Sequence, residues 1–211
     1  MNKTYTQSHL LFETCIHHKL LGFTTNQLMR DNLGYQFIKI IQEDTWMMEI
    51  LKILKNLKLN DCWVGAGFVR NKIWDHQHKI SRTKLNDIDV IYYDATICSK
   101  ESDISIEQAL KLIRPDVSWS VKNQGRMHIR NGHSPYKDCY EAISFWPETA
   151  TAIAIRLSAE NLIEYIAPYG LEDLFNLYVV PTPSFDLTVF NNRIKTKNWK
   201  QRWSKLKIHA Q

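Results

Sequence analysis

Two short stretches, WVGAGFVRN (Trp63 to Asn71) and LNDIDVIYYD (Leu85 to Asp94), leave few folds open to this chain. In the first, a short apolar run from Cys62 to Val64 reads as a buried strand, meets Gly65-Ala66-Gly67 and gives way to Phe68 to Trp74, the start of a helix. A strand that enters a helix through glycines exposes the unpaired N–H groups of the helix N-terminus. With the positive end of the helix dipole, these attract a phosphate. Glycine there admits close approach and a positive φ. Gly65 and Gly67 are therefore candidate nucleotide-binding residues. Arg70, within the first turn or so of the helix, is placed to reach the same anion.

In the second stretch, Ile88 to Tyr93 is rich in β-branched and aromatic residues and reads as a strand. Successive strand side chains alternate faces, so Asp87 and Asp89 point the same way, about 6.5 to 7 Å apart, with Ile88 and Val90 turned to the core. Two carboxylates on one face repel each other, and a divalent cation between them offsets that cost. Magnesium, or manganese in its place, binds carboxylate oxygens, keeps waters and accepts further oxygens from substrate phosphates. Asp87 and Asp89 are thus the candidate metal ligands and catalytic residues. Each motif alone has a plainer reading: many glycine turns bind nothing, and a lone Asp-x-Asp is most often a loop cap and a solvated edge residue. Together and in this order they supply what nucleotidyl transfer needs, a hold on the triphosphate and a metal at the phosphorus under attack.

The rest of the chain reads as α+β. Residues 8 to 60 look helical; in TWMMEILKILKNLKL the apolar Met47, Ile50, Leu51, Leu54 and Leu57 recur at intervals of three and four, with Asp44 or Thr45 as cap. His76 to Asn86 reads as loop, Ile104 to Ile113 as a helix capped from Ser102, Asp103 or Ser105, and Val117 to Val121 as a strand. An extended RMHIR would place Arg126 and His128 on one face beside Asn123. TAIAIRL and NLIEYIAP alternate like the arms of a hairpin, with Arg156 on the alanine side, and LEDLFNLYV reads as a helix closed off by Pro181 and Pro183. Asp94 reads as a turn residue, and Glu172 and Asp173 suit the first turn of that last helix. The expected organisation is one domain: a helical N-terminal part (1–60) packed on a core (61–190) built from a mixed sheet flanked by helices, then a basic segment (191–211).

Charge singles out that last segment. Of the 27 Lys and Arg, seven (Arg193, Lys195, Lys197, Lys200, Arg202, Lys205 and Lys207) follow Asn191, and no acid follows Asp186. Without them the chain carries 20 basic against 22 acidic residues, so its net charge of +5 is a property of this segment. Such a segment is commonly a solvated surface, and it is also able to hold phosphates or nucleic acid. Trp199 and Trp203 are four apart and share a helix face, which favours docking on the body over base stacking. The four cysteines are scattered without a CxxC, which suits a reducing cytoplasm rather than a disulfide framework or a zinc site. His17-His18 and His76/His78 lack cysteines at metal spacing and read as exposed polar residues. No apolar run reaches the ~18 to 20 residues of a membrane span, and no secretion signal is evident.

VGAGFVRN followed by NDIDVIYYD resembles the nucleotidyltransferase superfamily that includes DNA polymerase beta, whose signature is a glycine turn with a downstream Asp-x-Asp strand. More closely, the chain resembles a bacterial nucleotidyltransferase-like family of unknown substrate, through NQGRMHIRNG, WPETATAIAIRL, APYGLEDLF and the Arg193 to Trp199 pattern. The resemblance implies a minimal nucleotidyltransferase sheet flanked by helices, but no substrate. The chain departs from the superfamily pattern at three points. Ala66 replaces a common turn hydroxyl, nineteen residues separate Gly67 from Asp87, and the strand expected to carry a third carboxylate offers Ser118, Ser120 and Lys122, with Asp116 just before it. The leading expectation is a metal-dependent transfer of an NMP from NTP to a hydroxyl of an unknown acceptor with release of pyrophosphate. The alternatives are a catalytically weak nucleotide-binding protein of the same fold, or an RNA-binding module using the basic segment.

Overall fold

The computed structural model describes residues 5–6 and 25–209, with side chains from residue 32 onward. The helical reading of residues 8–24, with His17 and His18, lies outside the described residues. The chain runs β1 (Tyr5–Thr6), α1 (Thr25–Gln42), α2 (Thr45–Asn56), β2 (Trp63–Gly65), α3 (Gly67–His78), β3 (Ile88–Tyr92), α4 (Lys100–Ile113), β4 (Trp119–Asn123), α5 (Gln124–Asn131) and α6 (Cys139–Ser144). It continues through β5 (Ala154–Leu157), β6 (Ile163–Ile166), α7 (Glu172–Phe175), β7 (Tyr178–Val179), α8 (Leu187–Lys197), α9 (Trp199–Arg202) and β8 (Lys207–Ile208).

The fold is α+β, built on a six-stranded mixed sheet in the order β1-β6-β5-β2-β3-β4, with β3 and β4 parallel and the other pairs antiparallel. Period-two alternation sorts its residues. Val64, Val90, Val121 and Ile155 are fully buried on one face, in the main core with Phe37, Ile41, Ile50, Leu51 and Leu110 of α1, α2 and α4. Trp63, Ile91, Ala154 and Ile166 form a second cluster with Cys139 and Ile143 of α6. Gly65, Asp89, Ser120 and Ala154 are register neighbours in one row across the sheet.

That row explains Gly65. A Cβ added there would lie 2.6 Å from the backbone oxygen of Ile153, which already accepts from the Ala66 N–H. Gly65→Ala is therefore expected to destabilise the protein by about 1–3 kcal/mol, read as a lower urea midpoint at unchanged slope.

Several sequence expectations hold. Asp44 caps α2 by accepting from the Met47 N–H at 3.1 Å, and the buried face of α2 is Met47, Ile50, Leu51 and Leu54. The hairpin is β5–β6. Others are corrected. α3 runs on to His78, ending where Lys79 takes a left-handed φ of 54°, so the loop is shorter than His76 to Asn86. α4 begins at Lys100, capped by Ser99 accepting from the Ser102 N–H. RMHIR is helical within α5, because the Asn123 side chain caps its start and Gly132, at φ 69°, ends it. LEDLFNLYV yields only the four-residue α7; Leu177 turns the chain at φ 62°, and β7 pairs with distant β8. Among the described residues, no helix is long and apolar enough to cross a membrane.

Candidate active site

The glycine turn and the aspartates meet in one cleft of about 690 Å³. Ala66, Gly67, Arg70, Asp87 and Asp89 line it, together with Lys84 to Asn86 of the loop before β3 and with Arg193, Lys197, Trp199 and Arg202 from α8 and α9. Gly65 is not among the lining residues; its place is the tight packing behind the turn.

Ala66 carries the turn at φ 52° and ψ −124°, a conformation that favours glycine. Its N–H donates to the Ile153 carbonyl at 3.2 Å, and its own carbonyl accepts from Val69 and Arg70. Relief of this strain by Ala66→Gly is expected to raise stability, by up to about 1 kcal/mol once the looser unfolded chain is counted, seen as a higher urea midpoint. α3 has no side-chain cap and no acid in its first turn, whereas α2, α4, α5, α6 and α8 are each capped by Asp, Ser or Asn. With the Val69 and Arg70 amides taken by the Ala66 carbonyl, those of Gly67 and Phe68 are left without an intrahelical acceptor, and Gly67 lines the cleft. An added Cβ at Gly67 would make only ordinary contacts, the nearest at 3.7 Å.

Arg70 is buried, its guanidinium packed against the rings of both Trp74 (5.0 Å) and Trp199 (4.4 Å). It donates to Thr151 Oγ1 at 2.8 Å and Asn71 Oδ1 at 2.9 Å, while its Nε has no partner. Burial, the largest influence, pulls its pKa down to about 10, and it remains a cation at neutral pH. Asp87 lies exposed just before β3, and Asp89 lies within it, partly buried. Burial, followed by the Asp87 charge, pushes the Asp89 carboxyl up, against the opposing pull of Ser120, Arg70 and Lys122. This is the chemistry of a cation site: two carboxylates whose mutual repulsion a divalent ion would relieve. They fit a single ion that takes its other ligands from water and phosphate; among the described residues no group of three or more His, Cys, Asp or Glu suits a metal.

Register sets Ser120, not an acid, beside Asp89. Asp116 is outside the cleft, bound to Arg114 at 2.9 and 2.8 Å. The buried acids are committed elsewhere: Asp44 to Lys72 and Arg82, Asp75 to Trp203 and Thr83, Asp103 to Arg126, Tyr92 and the Asn123 N–H, Glu148 to Arg193. Arg126 and His128 do not line the cleft. Arg156 packs over Trp63 at 4.0 Å and pairs with Glu164 at 2.7 Å. Asp94 is a turn residue, accepting from Thr96 and Ile97.

The α8–α9 wall was visible in the sequence only as a charge excess and two tryptophans. Both rings are buried, edge-on to Trp74 at 5.4 and 5.1 Å, and the Trp203 indole donates to Asp75 at 2.8 Å. They dock on the body, and they bring Arg193, Lys197 and Arg202 to the cleft.

A nucleotidyltransferase family model matches residues 52–208, spanning both motifs and this wall. The chain belongs to that nucleotidyltransferase family. A domain solved by NMR and described as a CCA-adding enzyme head domain is 35% identical, with a TM-score of 0.75 over 84% of this chain and 96% of that one. A CCA-adding enzyme solved with CTP is 14% identical at a TM-score of 0.55, covering 81% of this chain, and an apo form is 15% identical at 0.51; these share the fold. The chain spans 42% of the length of each of those two enzymes. No curated protein matches the chain in sequence. Membership of the family and likeness to the head domain support nucleotidyl transfer in general terms.

Proposed function

We propose that this nucleotidyltransferase moves an NMP from an NTP to a hydroxyl on an acceptor, with Asp87 and Asp89 holding a divalent ion, magnesium or manganese. The single observation that carries this reading is the shared cleft, where the uncapped start of α3 faces the same space as Asp87 and Asp89. The α3 amide at Gly67 would orient the triphosphate, with Gly65 and Ala66 shaping the turn and Arg70 adding a fixed positive charge behind it. When bound, the ion neutralises charge on the phosphates and lowers the barrier to attack at phosphorus. The bond between the acceptor oxygen and the α-phosphorus forms as the α-to-β bridging bond breaks, pyrophosphate leaves, and the hydroxyl proton passes to solvent. Ser120 stands where a third carboxylate would assist that proton, so the Asp89 environment and the acceptor's own acidity bear more of the task.

A second reading, nucleotide binding without transfer, draws on that same Ser120. The reducing interior suggested by the free thiols of Cys62, Cys98 and Cys139 fits a cytoplasmic setting. Incubation with labelled NTPs and Mg²⁺ tests the proposal: pyrophosphate release is expected from the wild type and not from Asp89→Asn. Equal release by the two ends it, and binding without any release favours the second reading.

A further inference from the structure

We propose that Lys197, at the end of α8, and Arg202, in α9, bind the β- and γ-phosphates of the incoming NTP, completing a polyphosphate site whose other half is the start of α3. This rests on the nucleotidyl-transfer reading and extends it to a segment outside both motifs. The turn alone is a thin phosphate site. Ala66 contributes no hydroxyl, so the donors there are backbone amides only. A triphosphate carries close to four negative charges, and the cleft contains cations to match.

Two of the five cations that line it are already engaged. Arg193 bonds the fully buried Glu148 at 2.5 Å, and Arg70 is tied to Thr151 and Asn71 and packed against two tryptophans. Lys84, Lys197 and Arg202 form no ion pair with any described residue, Arg202 resting over the Trp203 ring at 5.5 Å, although Asp87 and Asp89 line the same cleft. Unpaired cations facing a concave space with two acids leave a positive balance that an anion fills.

The arrangement favours a compact anion over a nucleic-acid strand. Of the seven basic residues after Asn191, only Arg193, Lys197 and Arg202 line the cleft. Lys205 donates to the Gln77 carbonyl and Lys207 sits over the Tyr178 ring. A strand-binding groove would continue the charge along the surface with open stacking faces; here the charge converges, and Trp199 and Trp203 are buried. Those same rings, with the Trp203 bond to Asp75, fix α9 to the body, so little freedom is lost when Arg202 engages. During transfer, the two side chains neutralise charge on the departing pyrophosphate as its bond to the α-phosphorus breaks.

The test compares the wild type, the exposed-surface double variant Lys197→Ala/Arg202→Ala, and the control Lys195→Ala/Lys200→Ala by calorimetry. The probes are inorganic tripolyphosphate, an NTP, the matching NMP and a short single-stranded RNA. Loss of tripolyphosphate and NTP affinity by about tenfold or more in the double variant, with NMP and the control unchanged, is expected. Absent tripolyphosphate binding by the wild type, or equal binding by the double variant, overturns the proposal. So does a loss confined to RNA, which would assign the two cations to a phosphodiester acceptor. If the double variant loses tripolyphosphate while the wild type never releases pyrophosphate from NTP, the phosphate site stands and the transfer reading falls.

Discussion

Asp89→Asn is expected to lower nucleotidyl transfer by roughly 10²–10³-fold or more while leaving the metal-free protein at least as stable as the wild type. The two effects have one origin. Asp89 is held on β3 where burial and the Asp87 charge disfavour its ionised form, so its carboxyl is pushed up from its ordinary value. A carboxyl raised on folding costs stability above the unfolded pKa and costs nothing below it. In chelator at pH 7 the neutral amide removes that cost, and the variant should melt at an equal or higher temperature. The gap should close as the pH falls below the unfolded carboxylate value of about 3.9. Added Mg²⁺ should then raise the melting temperature of the wild type and not that of the variant, because only the wild type retains both acids. A variant that transfers nucleotide like the wild type, or gains the same stability from Mg²⁺, would separate the cleft from the activity.

The largest stability loss is expected from Trp203→Ala. The ring is 1% exposed, meets Trp74 edge-on at 5.1 Å and donates to Asp75 at 2.8 Å. Truncation removes a large buried ring and costs about 3–5 kcal/mol, read from denaturant melts. Trp203→Phe keeps most of the ring and loses the donor, leaving one Asp75 oxygen without its indole partner; about 1–3 kcal/mol is expected. Because α9 carries Arg202 into the cleft, Trp203→Ala should also weaken NTP binding at temperatures where the variant is still folded. A melt like that of the wild type would mean that the segment is not part of the cooperative core.

The site was legible in the sequence where chemistry and periodicity agreed. Asp87 and Asp89 both line the cleft, as a two-residue spacing leading into a strand predicts, although β3 begins one residue after Asp87. The glycine turn was legible as a strand-to-helix passage, but its two glycines differ in kind. Gly65 is dictated by the Ile153 carbonyl across the sheet, a contact no local pattern announces, while Gly67 borders the cleft. RMHIR misled because alternation over five residues is short; the Asn123 and Gly132 caps, nine residues apart, were the better signal. β7 was hidden by a helical pattern because its partner lies nearly thirty residues downstream, and pairing at that range overrides local preference. The cleft wall from α8 and α9 could not be placed, since a charge excess says nothing about which way a helix packs.

The Arg70 guanidinium, packed against both Trp74 on α3 and Trp199 on α9, has a consequence for how the protein meets its nucleotide. The cation and the two rings, which also meet each other edge-on at 5.4 Å, pin the start of α9 to α3. That wall stands before a nucleotide arrives, so little ordering is required of it when one binds.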